Sequence, residues 1–522
     1  MAFSEWFQSH SVDDMPFASA QREWRGLQTA IQISKGRSSL LLRVVPVGSV
    51  QYRLAQRLFR SRSANAQRAV ISTSPVQFVE PFANWQDEVE VVVMDSRSVS
   101  DINAQILASR KPWIFPVSES DDPGDIARLA WHLLGTAHSE SAIRFTGDRD
   151  TGSPMGVGPH TLLSYNVVGR GAVIPRRALL DVGGFDPSAR DVEHDLYLRL
   201  SEAGYNFLGL PAEHKLCSSA APIPETTMAA LRRRGFTGTA RASDAFTAWS
   251  LMGRPTVDIV IPTRDRLDLL RACLTSVEEN CGDFAVSITI VDNDSREPET
   301  LEFFRQSPHR IVAHPGPFNY AEIINHGVAT GVNDVVVILN NDTIVQPGWL
   351  DGLVPLAMME DVGVVGATLI SPNGDVQHAG MGAVPYPVEL PYGLVPSSLV
   401  SDYVVALSHR QCESIRNVVA VTGACHVVER TKWNLVGGMD ETLKVTANDV
   451  DLCLRLSERG YYTVLNPSVV ITHVGKASRG NAEAEDDHIR FLQRWGFLRE
   501  LVDPCIPYTR ATLISQSDII AQ

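Results

Sequence analysis

Along the second half of the chain, hydrophobic and polar positions follow two alternating periods. From about Pro255, short runs rich in β-branched residues take turns with stretches that are apolar on one side only. The runs VDIVIP, SITIVD, RIVAHP, VVVILN and VGVVGA predict buried parallel strands. LDLLRACLTSVEEN, the segment from Tyr320 to Thr330, and WLDGLVPLAMM predict helices between them. Alternation with short connections implies a mostly parallel α/β sheet covered on both faces. In such sheets ligands bind beyond the carboxyl ends of the strands. Two of these strands run straight into polar clusters: Asp292 and Asp294 close one, and Asn340, Asn341 and Asp342 close another. Either cluster alone reads as a turn, because Asn and Asp are common turn formers. Two of them in one α/β unit point to a site.

The rhythm breaks from about Ser371 to Gln411, a stretch rich in Pro, Gly and Ser that reads as an insertion or ordered loop. The first half holds a repeat of the second. GRGAVIPRRALLDVGGFDPSARDVEHDLYLRLSEAGYNFLGLP, from Gly169, matches VTGACHVVERTKWNLVGGMDETLKVTANDVDLCLRLSERGYYTVLNP, from Val421. The match extends upstream: EVEVVVMDSRS resembles VSITIVDNDSR. Aligning DIARLAWHLLGTAHSESAIRFTGD with YAEIINHGVATGVNDVVVILNND places Asp148 opposite Asp342. Glu193 falls opposite Asp449, and Cys217 opposite His473. No opening strand like VDIVIPTRDR precedes the first copy. The expected layout is a first domain over 1–250, a second over 251–480 with the insertion near 371–411, and a helical tail over 481–522 packed on the second domain.

Composition narrows the classes. The 522 residues carry a formal charge of −14, which argues against a nucleic-acid partner. Seven scattered cysteines lack metal-ligand spacing and suit a reduced compartment. MAFSEWFQSH has no apolar core and predicts no signal peptide, and no apolar run is long enough to span a bilayer. The expectation is a cytoplasmic protein. The basic, apolar stretch from Leu40 to Arg68 leaves open a peripheral contact with an anionic membrane, the alternative being a packed helix with a charged face.

In order, IPTRDR, VDNDS, PFNYAEIINHG, LNNDT, VTGACHVV, GGMDE, NDVDLCLRL and THVGKASRG resemble the family-2 inverting glycosyltransferases of GT-A fold. The set is most similar to the rhamnosyltransferase-like members of O-antigen and polysaccharide assembly. The resemblance implies two tandem GT-A-like, Rossmann-like nucleotide-diphospho-sugar transferase domains, the first degenerate. It implies that Asp292 and Asp294, with Thr263 and Arg266, lie at the nucleotide. Asn340-Asn341-Asp342 takes the place of the family's DxD motif, with Asn for its first acid. Asp342 and His473 would hold a divalent Mn²⁺ or Mg²⁺, Asp449 would be the general base, and Ser478 and Arg479 would lie near the phosphates. The partners implied are a nucleotide-diphosphate sugar and a glycan or lipid-linked saccharide acceptor.

The residue types suit that chemistry. A departing diphosphate gains charge that a cation and an arginine stabilise. An inverting transfer needs one carboxylate to take the acceptor hydroxyl's proton. Asp449 and Asp451 are two apart and do not share a helix face, so one should face the site while the other braces the helix. Helix capping by Thr446, Asn448 or Asp449 is the competing role, as a structural strand-end histidine is for His473. For the first half, a worn copy kept for packing and a second working site at Asp148 and Glu193 both stay open. The whole chain as a carbohydrate-binding scaffold is a further class, opposed by the retained Asp292, Asp342, Asp449 and His473. A nucleotidyltransferase would want a basic, glycine-rich phosphate loop near its start, and none is present.

Overall fold

The computed structural model describes residues 85–123, 126, 130, 143–147, 157–169, 171–205, 207–211, 223–242, 247–383, 395–401, 404–408, 415–475 and 483–495. The chain divides into two compact units between Ala248 and Trp249.

The second unit is built on a ten-stranded mixed sheet. Its first half is parallel, in the order Arg310–Ala313, Val286–Asp292, Val257–Thr263, Val335–Leu339. Cys425–Glu429 then enters antiparallel between Val335–Leu339 and Val362–Ile370. Tyr462–His473 runs parallel to Val362–Ile370 and carries the short Thr343–Ile344 on its far side. All five residues of Val335–Leu339 are buried, as an uninterrupted VVVIL run in a covered sheet requires. The helices Leu267–Asn280, Tyr320–Ala329 and Trp349–Ala357 fall where the periodicity predicts them. The antiparallel entry of Cys425–Glu429 departs from the parallel expectation, because apolar content alone carries no direction. Within 371–411, Val376–His378 joins the main sheet, while Met381–Ala383, Val404–Ser408 and Val395–Ser401 form a separate three-stranded sheet. The stretch is thus β-structured over its described part. Of the tail, Glu483–Trp495 is a helix of this unit and the rest lies outside the described residues.

In the first unit, Val89–Val93 pairs parallel with Trp113–Val117, which pairs antiparallel with Ile174–Pro175. Ile143–Gly147 pairs parallel with Phe207–Pro211. The register repeats that of the second unit: Trp113 opposes Val89 and Pro175 as Val335 opposes Val257 and Glu429. Smaller details repeat too. Arg176 donates its backbone N–H to the Pro112 carbonyl, and Arg430 donates to that of Asp334, in each case just before the partner strand. Asn103 brackets Phe185 through its side-chain amide (2.8 and 2.9 Å), as Asn325 brackets Met439 (2.9 and 2.9 Å). Gly184 and Gly438, both left-handed, sit under those amides where a Cβ would come within 2.5 and 2.4 Å of the Asn oxygen. Only glycine fits both demands.

This register corrects two expectations. Val89–Val93, matched by sequence to Val286–Asp292, pairs instead with Trp113–Val117 as Val257–Thr263 pairs with Val335–Leu339. What lacks a counterpart is the stretch between it and the next helix, because only one helix, Val99–Ala108, separates Val89–Val93 from Trp113–Val117. Ile143–Gly147 pairs as Val362–Ile370 does, not as Val335–Leu339 does. The alignment that set Asp148 opposite Asp342 therefore fails, and Asp148 itself lies outside the described residues. The residues that follow Trp113–Val117, as Asn340 to Asp342 follow Val335–Leu339, are Ser118, Glu119 and Ser120. The Leu40 to Arg68 stretch and Cys217 also lie outside the described residues.

Candidate active site

The carboxyl ends of Val257–Thr263, Val286–Asp292 and Val335–Leu339 place Thr263, Asp292 and Asn340 on one edge of the sheet. Thr263 is buried, and its hydroxyl accepts from the Asn341 amide at 2.8 Å. The backbone joins the next strand end, with Asn293 N–H donating to the Thr263 carbonyl at 2.9 Å. Asp292 closes a local turn by accepting from Ser295 N–H at 2.9 Å. Asp294 sits at φ 62° and pairs with Arg296 at 2.8 Å. Arg266, also left-handed, is exposed and pairs with Asp268 at 3.0 Å. The structure thus brings Thr263, Asn341 and Asp292 together and leaves Arg266 and Asp294 in pairs of their own at the rim.

Beyond Asn340 the chain turns, and Asp342 enters the short strand pairing with Tyr462–His473, in which Thr343 opposes His473. Asp342 and His473 therefore meet across adjacent strands: Nε2 of His473 is 3.3 Å from Oδ1 of Asp342. The other Asp342 oxygen accepts from Gly475 N–H at 3.0 Å. Burial alone would push the Asp342 carboxyl up. The hydrogen bond and charge of His473 and the Gly475 amide outweigh it and hold the group below the usual carboxylate range. Ser478 and Arg479 lie outside the described residues.

Asp449 and Asp451 share the first turn of helix Asn448–Glu458 and divide the work between them. Asp451 is fully buried and accepts from Arg455 Nε at 2.6 Å and from the Trp495 indole at 2.9 Å, so it braces the helix. Asp449 is half-buried, with Oδ2 accepting from Gly423 N–H at 2.9 Å and Oδ1 from Val450 N–H at 2.8 Å. Each oxygen keeps a lone pair beyond these bonds. The Val450 contact is the helix-end role foreseen for an acid here, whereas the Gly423 contact ties the carboxylate to another element. The cap residue is Ala447, left-handed at φ 59° with no side-chain acceptor, so Thr446 and Asn448 do not cap.

Four residues complete this edge that sequence reasoning did not single out. The Tyr320 hydroxyl lies 2.9 Å from the Gly423 carbonyl and 3.1 Å from Asn340 Oδ1, so it spans from the strand end to the loop that holds Asp449. Burial pushes this phenol far up, and the charges of Asp449 and Asp342 push it further. Gly423 presents the amide to Asp449. Gln377 touches His473, and Asp487 holds the loop before Asp449. All four act across 20 residues or more in sequence. Only Tyr320 had a local signal, as the first helical residue after the N-cap Asn319.

Among the described residues, no group of three or more His, Cys, Asp or Glu side chains could hold a metal. Asp342 and His473 bring together one carboxylate and one imidazole only.

Residues 255–496 match the protein-family model described as Glycosyltransferase like family 2. Over 270 residues the chain is 36% identical to the uncharacterized protein y4gI of Sinorhizobium fredii, a match covering 48% of this chain and 28% of that protein. It is 32% identical over 346 residues to the O-antigen biosynthesis protein RfbC of Myxococcus xanthus, covering 62% of this chain and 27% of that one. It is 26% identical over 254 residues to an N-acetylglucosaminyl-diphospho-decaprenol L-rhamnosyltransferase of Mycobacterium tuberculosis, covering 44% and 78%. The chain thus spans little more than a quarter of the length of the first two relatives. No helix among the described residues is long and apolar enough to cross a membrane. Residues 255–496, just under half of the chain, thus match the family-2-like glycosyltransferases over a mixed α/β sheet with a polar carboxyl edge.

Proposed function

We propose that this domain transfers a sugar, with inversion, from a nucleotide-diphosphate donor to a hydroxyl of a growing glycan or lipid-linked saccharide. The observation that carries the reading is the polar chain from Asn340 through Tyr320 and Gly423 to Asp449, which ties the strand-end cluster to one half-buried carboxylate. Asp449 is the general base. The acceptor oxygen bonds to the anomeric carbon as that carbon's bond to the diphosphate oxygen breaks. The hydroxyl proton passes to Asp449, and the bonding pair leaves on the diphosphate. Thr263, Asn341 and Asp292 hold the nucleotide end, with Arg266, Asp294, Ser478 and Arg479 as further donor contacts. Asp342 and His473 fit a Mn²⁺ or Mg²⁺ ion that takes its remaining ligands from phosphate oxygens and water. Such an ion, when bound, supplies charge neutralisation at the leaving group. The relatives' names, one an O-antigen biosynthesis protein and one a rhamnosyltransferase named for a diphospho-decaprenol compound, support a polysaccharide or lipid-linked acceptor; work at the cytoplasmic membrane face is part of the proposal.

The first unit reads as a second GT-A-like copy, with domains over 1–250 and 251–480 and a tail over 481–522. It reads as degenerate because Ser118, Glu119 and Ser120 stand where the second unit has Asn340, Asn341 and Asp342. One observation favours a bifunctional enzyme instead. Asp195 accepts from Arg199 at 2.7 Å as Asp451 does from Arg455, which sets Glu193 at the place of Asp449. Product analysis with a panel of nucleotide sugars separates the cases. Asp449→Asn should remove every linkage while calorimetry still detects nucleotide binding with Mn²⁺, and Glu193→Gln should change no linkage. Transfer by Asp449→Asn at the wild-type rate reduces Asp449 to a helix-end acceptor. A product that stops one sugar short with Glu193→Gln makes the enzyme bifunctional.

A further inference from the structure

We propose that Gln377 is a positioning residue that fixes the proton of His473 on Nδ1 and so commits its Nε2 to a divalent cation shared with Asp342. The inference rests on the reading of Asp342 and His473 as the cation pair and goes beyond it by naming what makes the histidine a ligand.

The argument starts from the Gln377 amide. Its Nε2 donates to the backbone carbonyl of His473 at 2.7 Å. The reverse orientation would set two acceptor oxygens against each other at that distance, so the amide has one way round. Its Oε1 then faces His473 Nδ1 at 2.8 Å. An amide oxygen only accepts, so Nδ1 carries the proton. The remaining ring nitrogen, Nε2, points at Asp342 Oδ1 from 3.3 Å. In the neutral ring that nitrogen offers a lone pair, and the carboxylate offers another. Two lone pairs then face each other, and the place between them is filled either by a second ring proton, which makes the ion pair of the metal-free site, or by a cation that displaces that proton. The second Asp342 oxygen is held by Gly475 N–H, so the carboxylate cannot turn away freely. Gly475 is left-handed at φ 67°, which folds the chain back so that its amide reaches Asp342. A Cβ there would lie 3.5 Å from Gln377 Oε1 and 3.7 Å from the His473 ring.

Gln377 belongs to Val376–His378, part of the stretch that interrupts the α/β rhythm. That strand pairs with Val362–Ile370, and Ile370 opposes both Val376 and Thr472, which brings Gln377 beside His473. The interrupting segment therefore supplies an outer partner to the site. Such partners of metal-bound histidines fix the tautomer, and their loss typically lowers metal affinity about 10–100-fold.

The test titrates Mn²⁺ alone into the full chain and reads free Mn²⁺ by electron paramagnetic resonance. Wild type should bind, and Asp342→Ala and His473→Ala should lose binding. Gln377→Leu should weaken it about 10–100-fold. Gln377→Glu keeps an acceptor for Nδ1–H but sets its second oxygen against the His473 carbonyl, so it should bind more tightly than Gln377→Leu and less tightly than wild type. Leucine binding Mn²⁺ like wild type, with Asp342→Ala still defective, overturns the role of Gln377 and leaves the cation pair standing. No difference between wild type and Asp342→Ala overturns the pair and the proposal with it. A measurement without variants guards against misfolding: ¹⁵N-histidine spectra of the metal-free wild type should show His473 Nδ1 protonated, and a bare Nδ1 overturns the proposal outright.

Discussion

Asp487 tests whether the helix Glu483–Trp495 positions Asp449, the proposed base, or serves only the fold. Its carboxylate is 1% exposed. It accepts three consecutive backbone amides: Lys444 at 3.0 Å, Val445 at 2.6 Å and Thr446 at 3.0 Å. Those amides precede the left-handed Ala447, and Asp449 follows two residues later. The same loop receives Tyr320 N–H on the Lys444 carbonyl at 2.7 Å. Asp487→Ala leaves three donors without their acceptor. Hydrogen bonds to a charged group contribute about 1.5–3 kcal/mol each, and these three share one carboxylate and are not additive. The expected loss is about 3–5 kcal/mol in urea unfolding. The loop's freedom should also displace Asp449, and about 1 Å of misplacement costs about 10²-fold in rate. Asp487→Asn keeps one oxygen acceptor and should fall between. The expected kinetic signature is a fall in kcat with nucleotide affinity kept, because Thr263, Asn341 and Asp342 are not held by this carboxylate. A loss of 3 kcal/mol or more in stability with kcat unchanged would refute the positioning argument. A stability loss below about 1 kcal/mol would show that water replaces the carboxylate, and would refute the magnitude.

Two further outcomes follow from the same geometry. Asp342→Ala should abolish cation-dependent nucleotide binding in calorimetry, while Asn341→Ala, which loses a single 2.8 Å bond to Thr263, should be milder; equal loss in both argues for a turn and against a cation site. His378 is buried, its Nε2 accepts from Gly380 and Thr422 N–H, and burial, followed by the charges of His426 and Arg416, lowers its pKa from 6.5 to about 3. The unfolded chain binds this proton first, so the contribution of His378 is complete above about pH 6.5 and is lost as pH falls toward about 3, at up to about 1.4 kcal/mol per pH unit. Urea unfolding at pH 7, 6 and 5 should show a shallower decline in His378→Gln than in wild type, and equal slopes would remove His378 as a cause.

Legibility in the sequence followed the range of the interactions. Val257–Thr263, Leu267–Asn280 and Val335–Leu339 were readable because their burial imposes a local period, and the polar strand ends were readable because a covered sheet tolerates polarity only at its edges. The division between Asp449 and Asp451 was also local, since two residues on a helix cannot face one way. Direction was not local: nothing in ACHVVE states that it runs antiparallel between two strands. Nor was the supporting shell, in which Gln377 meets His473 from 96 residues away and Asp487 meets Val445 from 42. A glutamine in an irregular segment and an aspartate in a tail carry no pattern until the fold closes.

The repeat shows the same limit from the other side. Sequence found it where both copies keep long side chains with fixed partners: the Gly-Gly turn under an asparagine, and the Asp–Arg pair whose guanidinium also reaches a carbonyl, Val182 in one copy and Val436 in the other. Those contacts hold helices Val192–Glu202 and Asn448–Glu458 to the ends of the helices before them, and Val99–Ala108 and Tyr320–Ala329 to the Gly-Gly turns. Upstream, similar apolar runs were matched by likeness alone, and likeness chose the wrong strand for Ile143–Gly147. Backbone register resolves this because it depends on which strand lies alongside, not on which sequence looks alike. It also changes what the first unit must explain: a carboxylate retained at Glu193 and serines at 118 and 120 where the second unit has Asn340 and Asp342. On the proposed reading, Glu193 without a counterpart of Asp342 could take a proton but would lack the cation ligand that holds a diphosphate. Transfer in the first unit would therefore need a different means of binding the leaving group.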